Sequence, residues 1–521
     1  MKYVIYGLGI SGISALNFLA KNNEEVIATD DNFQSIENAK ASFAKGVGIA
    51  IGNDGGFIEA SDYSKKNHPS QAPLAIDPPS FYSQNSYSDL SELQTTSRLS
   101  KRPKFMQPDE IEYDSNTKII FAPGIPLYFP KPHKILEIVK KTQAKLVCDL
   151  EVFYQKNSEQ NFLAITGTNG KSTTTALTGF ILKELKLPSE IGGNIGLPCF
   201  DLMDLPDVSA KKTYIFETSS YQLDLIDKIH FKVAAFLNIT PDHIDRHGSL
   251  EGYVNTKKRI FKNQVKGDYA AINVDNVNSK SVFDELQKDQ NLQATLIPIS
   301  TKNLHENGIS VINGTLYNKI YGEDSQFDLG KIFLKGEHNA ENIAMAFALV
   351  YCHLKQENLL DKVQQLQIIE AIKKFKGLRH RMQFLGSIDG INFINDSKAT
   401  NAESTENALK AYDYIFWILG GRPKEGGISS LTSYFRKITK AYLIGEASDD
   451  FAKVLEENSV AFEKCENLAN AINKSFTEAK KYSLKEKNIL LSPACASLDQ
   501  WKNFEERGDF FCKTFDELQN F

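Results

Sequence analysis

Residues 161 to 173, Asn-Phe-Leu-Ala-Ile-Thr-Gly-Thr-Asn-Gly-Lys-Ser-Thr, run an apolar strand straight into a glycine turn that carries a lysine and two hydroxyls. A helix is expected next, because residues 176–185 are rich in apolar side chains at helical spacing. Strand, glycine turn and helix in that order confine this part of the chain to an α/β fold and form a cradle for a triphosphate. The glycines let backbone N–H groups close around phosphate oxygens. Lys171 adds a point charge, Ser172 and Thr173 reach a magnesium ion, and the helix turns its positive end toward the anion. The cradle comprises Gly167, Thr168, Asn169, Gly170, Lys171, Ser172 and Thr173. A standard phosphate loop has four residues between its glycines, whereas only Thr168 and Asn169 separate Gly167 from Gly170.

At 521 residues the chain is too long for one core, and roughly three domains are expected. With 41% hydrophobic and 24% charged residues it has the balance of a globular protein. A net charge of -5 leaves no electrostatic footprint for nucleic acid or an anionic membrane, so neither is expected as a partner. The six cysteines are scattered without paired spacing, which implies reduced thiols and a cytoplasmic location. The longest apolar run, 343–352, is about half of what a bilayer requires and reads as a buried helix.

The first thirty residues read strand, turn, helix, strand. Gly7-Leu-Gly-Ile-Ser-Gly12 forms the turn, and the second strand ends at Asp30-Asp31. This is a Rossmann-type fingerprint, which points to a nucleotide-like ligand. Between about 45 and 102 periodicity fades and Ser, Gln, Asn and Pro accumulate, so a flexible insertion without catalytic role is expected. From Asn161 onward strands alternate with helices. Those at 214–216, 233–239 and 269–272 end at Glu217, Thr240 and Asn273. Ligands collect at the carboxyl ends of strands in an open α/β sheet, so these residues converge on the phosphate loop. Beyond Phe375–Arg381 the alternation restarts, giving a third α/β domain.

Several constellations carry chemistry. Glu217 follows a buried strand about fifty residues after the loop and suits a magnesium that bridges terminal phosphates. His243 lies among Asp242 and Asp245 in Asn-Ile-Thr-Pro-Asp-His-Ile-Asp-Arg-His. Lys257 sits on an expected helix, where a solvated basic face is the plainer reading. His338 and Asn339 stand at a helix start and either bind a base or cap the helix. Three polar loops, 395–401, 420–424 and 492–499, each follow an expected strand and together form a site for a small charged molecule.

Taken together and in this order, TGTNGKST, ETSSYQL, NITPDHIDRH, GEHNAEN, GLRHR, NDSKATN and SPACASLDQWKNFEERG resemble the Mur ligases of peptidoglycan assembly. The match is nearest to the branch that joins D-glutamate to UDP-N-acetylmuramoyl-L-alanine, and it covers nearly all of the chain outside 45–102. Relatives that add a diamino acid or lysine would show Asp-Asn-Pro-Arg in the third domain, and none is present. Folylpolyglutamate synthases share the short loop but not SPACASLDQ.

The resemblance implies three domains: a Rossmann-like UDP-substrate domain at 1–152, a central P-loop ATPase-type domain at 153–377 and a Rossmann-like amino-acid domain at 378–521. It further implies ATP-dependent, ADP-forming amide synthesis in the cytoplasm by a monomer. Gly7, Gly9, Ser11, Gly12, Asp30, Asp31, Asn194 and Gln222 would hold the UDP substrate. Lys171 would bind the transferring phosphate, with Ser172 and Glu217 on one Mg2+ and His243 and Lys257 on a second. Lys257 would act as an N-carbamate formed with CO2, which converts a cation into an anionic acceptor. Asn273, Arg381 and Asp396 would contact ATP, and Lys398, Thr400, Lys424, Ser497, Leu498 and Phe504 would hold D-glutamate.

Overall fold

The computed structural model describes residues 1–44, 49–51, 57–59, 102–204, 211–423, 426–484 and 486–519. The expected insertion lies outside them except for its margins and a short antiparallel pair, Ile49–Ile51 with Phe57–Glu59. Lys424 also lies outside the described residues. The fold is α/β, with three main sheets rich in parallel strands. The chain divides into two compact units, Met1–Gly330 with Glu341–Ile372, and Lys331–Ala340 with Lys373–Phe521.

The first unit contains two of these sheets. In the five-stranded one, Lys2–Tyr6 lies between Glu25–Thr29 and Thr117–Phe121, with Lys104–Phe105 and Lys145–Val147 at the edges. All four pairings are parallel, as a strand–helix–strand start requires. The nine-stranded sheet runs, from one edge, Ser325–Asp328, Thr315–Asn318, Ile309–Ile312, Thr295–Ser300, Tyr269–Asn273, Val233–Phe236, Asn161–Thr166, Thr213–Glu217 and Ser189–Gly193. Its central strands are buried along their whole length, which explains why they read as unbroken apolar runs rather than alternating ones. The edge hairpins beyond Thr295–Ser300 had no such run to announce them. One continuous core serves both sheets. Phe153 meets Phe162, Phe200, Tyr214 and Phe216 edge-on, and Phe18 of the first helix stacks on Phe200 at 5.1 Å. The apolar run 343–352 is buried at every position, inside the helix Glu337–Gln356.

The second unit is built on a six-stranded sheet ordered Gln383–Ile388, Ile391–Asn395, Asn488–Leu491, Ile415–Gly420, Ile438–Ile444 and Phe462–Glu466, with only the first pairing antiparallel. Its side chains alternate between two cores. Trp417 and Leu419 face one, Phe416 and Ile418 the other, as the period of two along a strand demands.

Candidate active site

Register brings the central site together. Asn161–Thr166 lies parallel between Thr213–Glu217 and Val233–Phe236, with Ile165 opposite Glu217 and Thr166 opposite Phe236. The three strands therefore deliver the phosphate loop, Glu217 and the segment leading to His243 at one sheet edge. The loop opens onto the helix Lys171–Glu184 through Gly170 in the left-handed conformation (φ 86°), with no side chain capping the helix. A β-carbon at Gly170 would meet Asn342 Oδ1 at 2.4 Å, so the turn is closed from behind by the helix that carries Asn342. Asn238 braces the front: its backbone carbonyl accepts from Thr168 N at 2.7 Å and its Oδ1 from Asn169 N at 2.9 Å. Lys171 Nζ donates to the Gly167 and Thr168 carbonyls at 3.0 and 2.8 Å, folded over its own loop. Ser172 and Thr173 are buried in the first helical turn.

Two buried charges flank the loop. Glu217 is 2% exposed; its Oε1 accepts from Asn194 Nδ2 at 3.1 Å, while the buried Oε2 has no hydrogen-bond partner. An unpaired carboxylate oxygen is costly away from water unless a cation or donor reaches it. Lys257, on the expected helix (Leu250–Lys258), is only 1% exposed, so the solvated-face reading fails. Its Nζ donates to Gly167 O at 2.9 Å and Thr166 Oγ1 at 3.2 Å and lies 4.8 Å from the Tyr253 ring centroid. Burial, with Lys171 nearby, pushes the Lys257 amine well below the ordinary lysine range. The shift favours the uncharged amine, which is the form that adds to CO2. His243 is more exposed, with a φ of 50°; its Nδ1 hydrogen-bonds Tyr221 Oη at 2.9 Å. The neighbouring His247 bonds Ser220 Oγ at 2.9 Å, and burial lowers it to about 4.

Among the described residues there is no group of three or more His, Cys, Asp and Glu side chains that could hold a metal ion. The donors present, Ser172, Glu217 and His243, fit Mg2+ delivered with a triphosphate, since that ion takes one or two carboxylates and completes its shell with phosphate and water. Asn273 ends its strand as expected, but its Oδ1 accepts from Asp275 N at 2.6 Å and Asn276 N at 3.2 Å, shaping a turn.

At the first sheet the glycine turn lies where the fingerprint puts it. Asp30 Oδ2 accepts from Leu8 N at 2.8 Å and its Oδ1 from Asn32 N at 2.9 Å. Asp31 accepts from Tyr6 Oη at 2.7 Å and lies 2.9 Å from His133 Nε2 and 3.3 Å from Lys134 Nζ. Burial pushes the Asp31 carboxyl up, but the bonds from His133 and Tyr6 outweigh it and hold the group below the usual range. Ser11 and Gln222 both hydrogen-bond the buried Asp149, so Gln222 is turned inward rather than toward an open surface.

In the second unit the three polar loops follow adjacent parallel strands and are stitched together. Gly420 N donates to Pro493 O, Arg422 and Ala496 exchange backbone bonds at 2.9 and 3.1 Å, and Ala494 N donates to Ala399 O. Lys398 Nζ lies 5.4 Å from the Phe504 ring centroid, and Thr400 N donates to Lys398 O. Ser497 is buried and Leu498 is 56% exposed beside it. Asp396 accepts from Met382 N and Ser492 Oγ, and burial raises it to about 7. Arg381 sits just before Met382, in the same unit. His338 is half-buried and lowered to about 4, chiefly by desolvation, while the buried Asn339 donates to Lys335 O at 2.7 Å.

Sequence reasoning passed over Arg507, the helix-borne guanidinium that braces these loops. Buried to 1%, it bonds Ser397 Oγ, Ser397 O and Cys495 O, and its Nη1 has no partner. The signal was the Arg in NFEERG, which falls one helical turn after Phe504.

Comparison with known proteins defines the class first. Residues 165–350 match the model of the Mur ligase middle domain, and 380–495 that of the Mur ligase glutamate ligase domain. A UDP-N-acetylmuramoylalanine–D-glutamate ligase of Rickettsia bellii is 41% identical over 409 residues, 78% of this chain and 86% of that protein. One from Wolbachia pipientis wMel is 35% identical over 567 residues, covering 99% and 96%. The chain belongs to the Mur ligase family, among the UDP-N-acetylmuramoylalanine–D-glutamate ligases. Solved structures agree on the fold. A UDP-N-acetylmuramoyl-L-alanyl-D-glutamate–2,6-diaminopimelate ligase gives a TM-score of 0.52 at 16% identity, covering 77% of this chain and 87% of that one. MurF from Acinetobacter baumannii gives 0.51 at 15%, covering 69% and 78%.

Proposed function

We propose that this protein joins D-glutamate to UDP-N-acetylmuramoylalanine with cleavage of ATP to ADP and phosphate, in peptidoglycan precursor synthesis. The observation that carries the catalytic part is the buried Lys257, bonded to the phosphate loop and with its amine pushed below the ordinary lysine range by burial. The muramoyl-alanine carboxylate attacks the γ-phosphorus of ATP, the bond to the bridging oxygen breaks toward ADP, and an acyl phosphate forms. The neutral amine of D-glutamate then adds to the acyl carbon, and the tetrahedral intermediate expels phosphate and gives up one nitrogen proton to solvent as the amide forms.

Lys171 leaves its loop carbonyls to follow the transferring phosphoryl group, and the loop amides hold the β- and γ-oxygens. Lys257 adds to CO2 through its free electron pair and loses a proton, which gives an N-carbamate anion beside Glu217. Ser172 and Glu217 would hold one Mg2+, and His243 with the carbamate a second; these ions neutralise charge on the phosphoryl oxygens. Gly7, Gly9, Ser11 and Gly12 present backbone to the UDP moiety, while Asp30 and Asp31 shape that turn. Lys398, Thr400, Ser497, Leu498 and Phe504 receive D-glutamate, with Lys424 as a further carboxylate partner, and Arg381, Asp396 and Asn273 serve ATP. We place the enzyme in the cytoplasm as a monomer, a location supported by six free cysteines.

Phosphate release, measured with UDP-N-acetylmuramoylalanine, ATP and a panel of amino acids, tests this. Release is expected with D-glutamate and not with L-glutamate. Equal release with another amino acid rejects the substrate assignment.

A further inference from the structure

The segment Ile244–His247 is locked to the first sheet by contacts that the proposed chemistry does not use. Arg246 Nη2 donates to the carbonyls of Pro123, at 3.0 Å, and of Ile125. Both belong to the turn after Thr117–Phe121, which abuts the glycine turn through Ala122 N donating to Tyr6 O at 2.9 Å. A second tie lies next door: a β-carbon at Gly248 would meet the Phe129 ring at 2.7 Å, so the ring rests on bare backbone. The same guanidinium stands over the Tyr221 ring, 4.4 Å from its centroid. Tyr221 Oη in turn bonds His243 Nδ1 at 2.9 Å, with the two rings tilted at 5.2 Å.

We propose that Tyr221 and Arg246 are positioning residues that tie the first-sheet turn 122–126 to the ring of His243. A histidine that ligates a metal through Nε2 donates its Nδ1 hydrogen to a second partner, which fixes the tautomer and the ring plane. The Tyr221 oxygen, 2.9 Å from Nδ1, stands where that acceptor is needed once Nε2 is turned to a metal. Arg246 fixes the Tyr221 ring and, through the two carbonyls, makes its place depend on the turn beside the UDP-binding glycines. Seating the UDP substrate and presenting the His243 nitrogen thereby become one event, and the coupling is reciprocal. The roles of the turn and of His243 rest on the function proposed above.

Two measurements decide it. Histidine-selective 15N NMR needs no UDP substrate: with Mg2+ and a non-hydrolysable ATP analogue bound, His243 of the unaltered protein is expected to carry its proton on Nδ1, and Tyr221→Phe, which removes one oxygen, is expected to lose that single tautomer. An unchanged His243 signal in Tyr221→Phe overturns the relay. Calorimetry then follows UDP-N-acetylmuramoylalanine binding with and without a non-hydrolysable ATP analogue and Mg2+. The unaltered protein is expected to bind about tenfold more tightly with nucleotide present. In Arg246→Met that gain falls below about twofold, while each ligand still binds alone. An equal gain in Arg246→Met also overturns the relay. Failure of the unaltered protein to bind the UDP compound rejects the function instead, and the NMR result still judges the relay.

Discussion

The two glycine turns of the first unit share one architecture, strand into turn into helix, yet they leave opposite chemistry behind. At the first sheet the acids are satisfied within the protein: Asp30 is spent on Leu8 N and Asn32 N, and Asp31 on Tyr6, His133 and Lys134. At the phosphate loop Glu217 keeps a buried oxygen with no partner, and Lys257 is buried beside Lys171 with its amine pushed well below the ordinary lysine range. Charge left uncompensated inside a fold is waiting for charge from a ligand. The first turn therefore reads as a backbone platform, and the second as the place where phosphate is moved. Both turns hold confined glycines, Gly7 against Ala122 and Gly170 against Asn342, but Gly9 of the first turn has nothing within 4 Å of where a β-carbon would stand.

The sharpest test of this contrast is to remove charge from the second turn. Lys257→Ala is expected to lower kcat by about 10²–10³-fold, with partial recovery in excess bicarbonate or a short-chain carboxylic acid. Near-normal turnover without additive would reject the carbamate. Glu217→Gln keeps the shape and deletes the charge; kcat should fall by about 10²-fold while Asp31→Asn, at the satisfied turn, changes kcat by less than about threefold. Comparable losses in the two variants would erase the distinction.

Glycine replacements probe the same comparison through stability. Gly170→Ala must adopt a left-handed backbone and push Asn342 away, so it should cost about 1–2 kcal/mol or more and lower Tm in calorimetry. Gly9→Ala should leave stability within about 0.5 kcal/mol and instead raise KM for the UDP substrate. The smallest effect concerns pH. Asp396 is raised to about 7 in the folded protein, above its unfolded value of 3.8. Between those values the unfolded chain has released a proton that the folded one keeps, so stability falls as pH rises through that window. Asp396→Asn should flatten this slope, seen as a change of a few degrees in Tm between pH 4 and 7.

Much of the molecule was readable before folding because its signals are local. The phosphate loop, the Gly7–Gly12 turn, the strand-end carboxylate Glu217 and the buried run 343–352 each announce themselves within a few residues, since strand burial and glycine turns act over that range. The loops 395–401 and 492–499 were legible for the same reason. Edge strands such as Thr315–Asn318 and Ser325–Asp328 were not, because they are short, half exposed and paired by hairpins rather than by apolar runs. Asn238 and Asn342 escaped notice as braces of the phosphate loop because they come from elements about 70 and 170 residues downstream.

The sequence alone determined that a triphosphate cradle stands at the end of a buried strand and that acids and a histidine follow neighbouring strands. Residue type and period suffice for that. Whether Lys257 is a solvated surface cation or a buried amine was decided only by the tertiary structure, because the spacing is identical in the two cases and only desolvation by Tyr253, Thr166 and the phosphate loop tells them apart. The same holds for Arg507 and for Tyr221 and Arg246. Their sequence signatures are those of ordinary polar residues, and their roles arise from partners that only the folded chain brings within reach.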